Sequence, residues 1–172
     1  MMLQDCPSAL ERDRFLALYG GIYEHSRWVA EAAWDGRDGT SLDTVEGLHR
    51  AMAHAVDVAG EEKQERLICA HPDLAGKAAI KGELTAESKA EQSGAGLDAC
   101  TPDEFEEFQR LNKAYKNKFG FPFIIAVKGH NRHSILAAFE ARLNHDRERE
   151  FKTALAEIHK IARFRLEALA AL

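Results

Sequence analysis

The sequence predicts an all-α fold, and three observations carry that expectation. Apolar residues recur every three or four positions along most of the 172 residues, the period of a helix with one buried face. Residues that start and stop helices bracket those stretches. Only one short run, Phe121 to Val127, has strand character, and a lone strand has no partner for its ladder. The architecture expected is a single-domain multi-helix bundle over residues 1–172 with one buried extended segment at about 121–127. The length fits the usual span of one domain, about 100–200 residues.

The opening region predicts two short helices, one on Leu10, Phe15, Leu18, Tyr19 and Ile22 and one from Trp28 to Trp34. From Ser41, the residues Leu42, Val45, Leu48, Met52, Ala55, Val56 and Ala59 form one stripe. Asp43 and Glu46 stand there in capping-box spacing, and Gly60 supplies a stop. A shorter helix, Glu62 to Ala70, ends at His71-Pro72 because proline disfavours helical geometry in the residue before it. Leu84 to Leu97 predicts a helix that places Leu84, Ser88, Glu91 and Gln92 on one face, closed by Gly94 and Gly96. Thr101 to Phe119 has a Thr101/Glu104 capping box, Pro102 in the first turn and a stripe of Phe105, Phe108, Leu111, Tyr115 and Phe119. Ser134 to Leu143 and Arg149 to Leu169 complete the set, the latter on Phe151, Leu155, Ile158, Ala162, Leu166 and Leu169.

Composition narrows the function classes. With 23 Lys+Arg against 28 Asp+Glu and a net charge of −5, the chain lacks the basic excess that meets nucleic-acid phosphates. No apolar run approaches the roughly 20 residues that cross a bilayer, and the first residues do not read as a signal peptide. Cytoplasmic residence is the expectation. Three scattered cysteines (Cys6, Cys69 and Cys100) form neither a disulfide framework nor a metal knuckle. Cys69 lies in the apolar run Leu67-Ile68-Cys69-Ala70 and is expected to act as a small hydrophobe.

Metal, nucleotide and Ser-His-Asp chemistry lack their sequence signatures: no HExxH or Cys/His cluster, no GxGxxG or GxxxxGK[ST], no GxSxG. His49, His54, His130 and His133 read as structural or solvated. No metal and no cofactor is expected, which leaves cofactor-free acid–base chemistry or no chemistry. Three stretches break the amphipathic routine. His71, pinned by Pro72, has either the role of a helix C-cap, where a cation complements the dipole, or that of a proton-transfer group near neutrality. The Ser88/Glu91/Gln92 face is either a ligand-facing surface or a short surface helix. The Phe123-Ile124-Ile125-Ala126-Val127 run is core by composition, but its buried peptide groups need partners, and a polar ligand would supply them.

Together HPDLAGK, LTAESKAEQSGAGL, FQRLNKAYKNKFGFPFIIAVKG and ILAAFEARLNHDREREFKTALAEIHKIARFRL resemble the 2-oxo-4-hydroxy-4-carboxy-5-ureidoimidazoline (OHCU) decarboxylases of urate breakdown. The likeness runs from about Leu16, through YGGIYEHSRWVAE, to the last helix. It implies an all-helical, commonly dimeric enzyme without metal or organic cofactor that converts an unstable ureidoimidazoline to (S)-allantoin, working after urate oxidase and hydroxyisourate hydrolase. By motif it implies His71 and Glu91 as the catalytic pair. Pro72, Ser88, Gln92, Arg163 and the backbone of Phe123, Ile124, Ile125, Ala126 and Val127 are implied as substrate-binding. Two alternatives stand beside it: a non-catalytic helical module for a purine-derived ligand or protein partner, and another cofactor-free enzyme acting on a related ureide.

Overall fold

The computed structural model describes residues 1–76 and 81–171. Among them are eight α-helices, two short 3-10 turns and a single isolated antiparallel bridge, Met2 to Thr44, so the all-α class holds. Lys77, the last residue of the HPDLAGK motif, lies outside the described residues. The chain divides into two compact units, Met1–Ala70 with Ile158 onward, and His71–Glu157.

The first unit holds α1 (Arg12–Tyr19), α2 (Trp28–Asp35), α3 (Val45–Asp57), α4 (Glu61–Cys69) and the part of α8 (Arg147–Ala170) from Ile158. Phe15 is fully buried, its ring centroid 4.9 Å from Trp34 and 5.2 Å from Tyr19. The predicted stripe of α3 is confirmed in Val45, Leu48, Met52 and Val56, all buried. Its cap differs from expectation. Thr44, not Asp43, accepts the orphan N–H of Gly47, at 3.0 Å. Asp43 instead turns inward and takes the N–H and hydroxyl of Ser8 at 2.8 and 2.6 Å. Gly60 also changes role: α3 ends at Val58, and Gly60, at φ +88°, is the residue that opens α4. Cys69 is exposed although Leu67 and Ile68 are buried. Successive helix residues turn about 100°, so a four-residue apolar run cannot lie wholly on one face.

The second unit holds α5 (Ala86–Gly94), α6 (Pro102–Phe119), α7 (Arg132–Arg142) and α8 up to Glu157. The α6 capping box forms as predicted, Thr101 accepting from Glu104 N–H and Glu104 from Thr101 N–H. Phe108, Leu111, Tyr115 and Phe119 are buried along it. Gly120, at φ +81°, ends the helix in the left-handed region, which costs a residue with a Cβ more than glycine. Residues 121–127 follow as a non-helical run buried throughout. Phe123 stacks on Phe139 at 3.8 Å and meets the edge of Tyr115 at 5.4 Å. Burying aromatic side chains of this size contributes roughly 1.5–3 kcal/mol each, which anchors the side chains while the peptide groups remain to be accounted for.

Candidate active site

The HPDL loop begins where α4 runs out: Ala70 caps that helix, and His71 and Pro72, both half-buried, follow. The next turn is tight. Ala75 sits at φ +48°, and a Cβ on Gly76 would meet Asp73 Cβ at 2.7 Å, which explains a glycine there. Four side chains strap this turn. Gln92 Oε1 accepts the Ala75 N–H at 3.1 Å, and Gln109 donates to the Ala75 carbonyl at 2.8 Å. Asn112 donates to the Leu74 carbonyl at 3.0 Å, and Lys116 pairs with Asp73 at 2.6 Å. Gln109, Asn112 and Lys116 are spaced i, i+3, i+7 on α6, one helical face. In the sequence the aromatic stripe of α6 overshadows this polar spacing, which is nonetheless legible there.

On α5, Thr85 caps by accepting the Ser88 N–H at 3.2 Å. Ser88 and Gln92 are buried and Glu91 is half-buried, while Glu87 and Lys89 are exposed. The predicted face therefore turns inward. Because Ala75 offers a donor, the Gln92 carboxamide must present its oxygen there, and its NH2 is directed elsewhere. His71's loop and the α5 face are thus one hydrogen-bonded piece, although more than a dozen residues separate them in the chain.

The 123–127 run is held at three points. Arg142 Nη1 donates to the Ile124 carbonyl at 2.6 Å, Glu157 Oε2 accepts the Ala126 N–H at 2.8 Å, and the His130 N–H donates to the Val127 carbonyl at 2.9 Å. The expectation that the whole segment offers its backbone to a ligand is therefore narrowed, since those three groups are already used. The N–H and C=O of Phe123 and Ile125 have no hydrogen-bond partner among the described residues. Behind the run lies a buried polar cluster that sequence reasoning missed. Glu150, fully buried, accepts from Arg142 Nε at 2.7 Å and from the Tyr115 hydroxyl at 2.6 Å, with His145 Nδ1 at 3.0 Å. Burial and this hydrogen bond raise the Tyr115 pKa well above its usual range, so the phenol is the donor.

Arg163 falls in the first unit. It is exposed and pairs with Glu167 at 2.9 Å, one helical turn on. It borders an open cavity of about 500 Å³ with Glu46, His49, Arg50, His54 and Asp57. Arg165, two residues on, is the buried arginine, 2.9 Å from the buried carboxylate of Glu24. Helical spacing from Ala162 and Leu166 carried that signal. Beside the cavity, His159 Nδ1 lies 2.8 Å from the Tyr23 hydroxyl and Nε2 lies 3.4 Å from Asp57. Burial lowers the His159 pKa against the opposing pull of Asp57.

His130 bonds Ser134, and His133 lies 3.7 Å from Glu104 on the surface. Among the described residues no group of three or more His, Cys, Asp or Glu is placed to hold a metal ion, and no helix is long and apolar enough to cross a membrane. The Cys69 and Cys100 thiols are pushed up by partial burial and neighbouring carboxylates, which disfavours the reactive thiolate.

The OHCU decarboxylase family model matches residues 8–167. The 2-oxo-4-hydroxy-4-carboxy-5-ureidoimidazoline decarboxylase of Haloferax volcanii is 47% identical over 157 residues, 91% of this chain and 89% of that one. The uric acid degradation bifunctional protein PucL of Bacillus subtilis is 42% identical over 166 residues, 96% of this chain but 32% of that one. Among solved structures, an (S)-allantoin synthase superposes with a TM-score of 0.76 at 35% identity, covering 95% of this chain and 52% of that chain.

Proposed function

The chain belongs to the OHCU decarboxylase family, and from that membership we propose how its residues turn 2-oxo-4-hydroxy-4-carboxy-5-ureidoimidazoline into (S)-allantoin and CO₂. It is a carboxy-lyase of urate degradation. The observation that carries the site assignment is the bond from Ala75 N–H to Gln92, which joins the His71 loop to the Ser88/Glu91/Gln92 helix.

In the reaction the bond between the ring carbon and its carboxylate breaks, and the electron pair moves into the adjacent ring C=N. The substrate is thus its own electron sink. The ring nitrogen that receives the pair takes one proton, a second is delivered to the carbon that bears the ureido group, and the hydroxyl proton leaves as the ring carbonyl forms. One proton is thus taken up in exchange for the lost carboxylate charge. The protein adds orientation and a proton on one face. His71, oriented by Glu91, handles the hydroxyl and the proton that sets the stereocentre. Gln92 NH2 suits a carbonyl oxygen of the ureide, since its own oxygen is committed to Ala75. The Ile125 N–H and C=O offer one donor and one acceptor to an amide-like edge of the ligand, and Pro72 and Ser88 border it.

Arg163 is assigned to the anionic oxygens on the strength of the resemblance, and a raised KM in Arg163→Ala tests it. Homodimeric assembly, cytoplasmic residence, independence of cofactors, and supply of substrate by urate oxidase and hydroxyisourate hydrolase belong to the same proposal. Coupling the chain to those two enzymes while following optical activity is the test. Rapid appearance of (S)-allantoin is expected. Racemic allantoin at the uncatalysed rate would overturn the reading in favour of a non-catalytic module. His71→Ala should remain folded and lose the stereospecific signal; if (S)-selectivity persists, proton delivery belongs to another group, Glu91 first.

A further inference from the structure

We propose that Arg142 and Glu157 are positioning residues for this reaction, acting through the backbone by setting the direction of the two peptide groups that flank Ile125. The inference rests on the decarboxylase reading above and on three pieces of geometry.

The first is peptide planarity. The Ile124 carbonyl and the Ile125 N–H belong to one peptide unit, and the Ile125 carbonyl and the Ala126 N–H belong to the next. Both units are trans, so within each the C=O and N–H point in opposite directions. Arg142 holds the first unit by its carbonyl at 2.6 Å, and Glu157 holds the second by its N–H at 2.8 Å. The free end of the first is a donor and the free end of the second an acceptor. Both belong to Ile125, and neither has a partner among the described residues. A charged residue on each of two helices thus fixes the aim of a donor and acceptor that carry no charge themselves.

The second is the placement of the clamps on rigid elements. Arg142 ends α7 and Glu157 lies inside α8, whereas the run they hold has no ladder to fix its peptide planes. Without a clamp, rotation of a peptide unit would swing the donor or acceptor out of line, and a misdirected hydrogen bond weakens steeply.

The third is the cost accepted around Arg142. Its guanidinium is buried, lies 4.2 Å over the Phe123 ring, and keeps Nη2 buried without a hydrogen-bond partner among the described residues. Buried ion pairs are a poor device for stability, and apolar replacements often match them. An incompletely satisfied guanidinium at this place is explained by the Ile124 carbonyl it must hold, and the Glu150 carboxylate serves to orient it.

The test uses the full chain in the coupled allantoin assay with three variants. Glu157→Gln keeps an acceptor oxygen for Ala126 N–H and is expected to stay within about threefold of wild type in kcat/KM. Glu157→Ala removes it and is expected to raise KM by about tenfold with a smaller change in kcat, the scale of one lost hydrogen bond. Amide exchange at Ala126 should accelerate in Glu157→Ala and not in Glu157→Gln. The paired variant Arg142→Met with Glu150→Leu avoids a stranded charge, so it should fold yet show the same KM rise. Wild-type KM in Glu157→Ala, or a Gln variant as impaired as the Ala variant, would overturn the inference. An inactive wild-type chain would take the decarboxylase reading down with it, which separates the two failures.

Discussion

Glu150→Leu should be among the most destabilising single changes in the second unit. The carboxylate is fully buried and is shared by Arg142 Nε, the Tyr115 hydroxyl and His145. Removing it strands a guanidinium whose side chain is only 10% exposed, and breaking a buried pair from one side costs about 3–5 kcal/mol. Such a loss is a large share of a typical total of about 5–15 kcal/mol. With a urea m-value of about 2 kcal/mol/M, the midpoint should fall by about 2 M. Adding Arg142→Met removes the stranded charge and should restore part of the loss. What remains is the Tyr115 hydroxyl and the Ile124 carbonyl, each orphaned at about 1–3 kcal/mol, and Tyr115→Phe in the same chain should recover the first. Urea unfolding followed by circular dichroism reads all three. If the double variant is no more stable than Glu150→Leu alone, the argument from stranded charge is refuted.

Other outcomes follow from the same geometry. Arg163→Ala removes only an exposed pair and should change stability by no more than about 0.5 kcal/mol, whereas Arg165→Ala takes a buried cation away from the buried Glu24 carboxylate and should cost about 3–5 kcal/mol; thermal melts in the opposite order would refute the burial argument. His159 has a folded-state pKa below its ordinary 6.5 because burial disfavours the cation. Between that depressed value and 6.5 the unfolded chain binds more protons, so the His159 contribution to stability is complete above 6.5 and declines as pH falls through this window. His159→Gln should flatten the slope of Tm against pH there, and an unchanged slope would refute the assignment. Gln92→Glu keeps an acceptor for Ala75 N–H but loses the NH2 donor, so the fold should persist while KM rises about three- to tenfold, the scale of one hydrogen bond; a KM equal to wild type would show that the NH2 does not meet substrate.

The helices were largely readable because their causes are local. The Thr101/Glu104 capping box, the Phe108–Leu111–Tyr115 stripe and the proline after His71 each act within a turn or two, and each appears where it was expected. Errors arose where two local options competed. Asp43 and Thr44 both qualify as caps, and only the distant Ser8 decides that Asp43 is spent elsewhere. Cys69 looked buried because a run of apolar letters hides the rotation of the helix that carries it.

Spacing put Ser88 and Gln92 on one face but left its inward turn open, while the burial of 121–127 was expected from its composition. The sequence by itself therefore determined the helical class, most element boundaries and, through its motifs, the residues on which to look for chemistry. Tertiary structure decided which polar groups remain available to a ligand. Gln92 has spent its oxygen on Ala75, Ile124 its carbonyl on Arg142 and Ala126 its N–H on Glu157, whereas Ile125 has spent neither group. The physical reason is that a helix start or an amphipathic face is set by neighbours in the chain, whereas the partner of a buried peptide group comes from wherever packing brings a side chain. No periodicity in the text records that meeting.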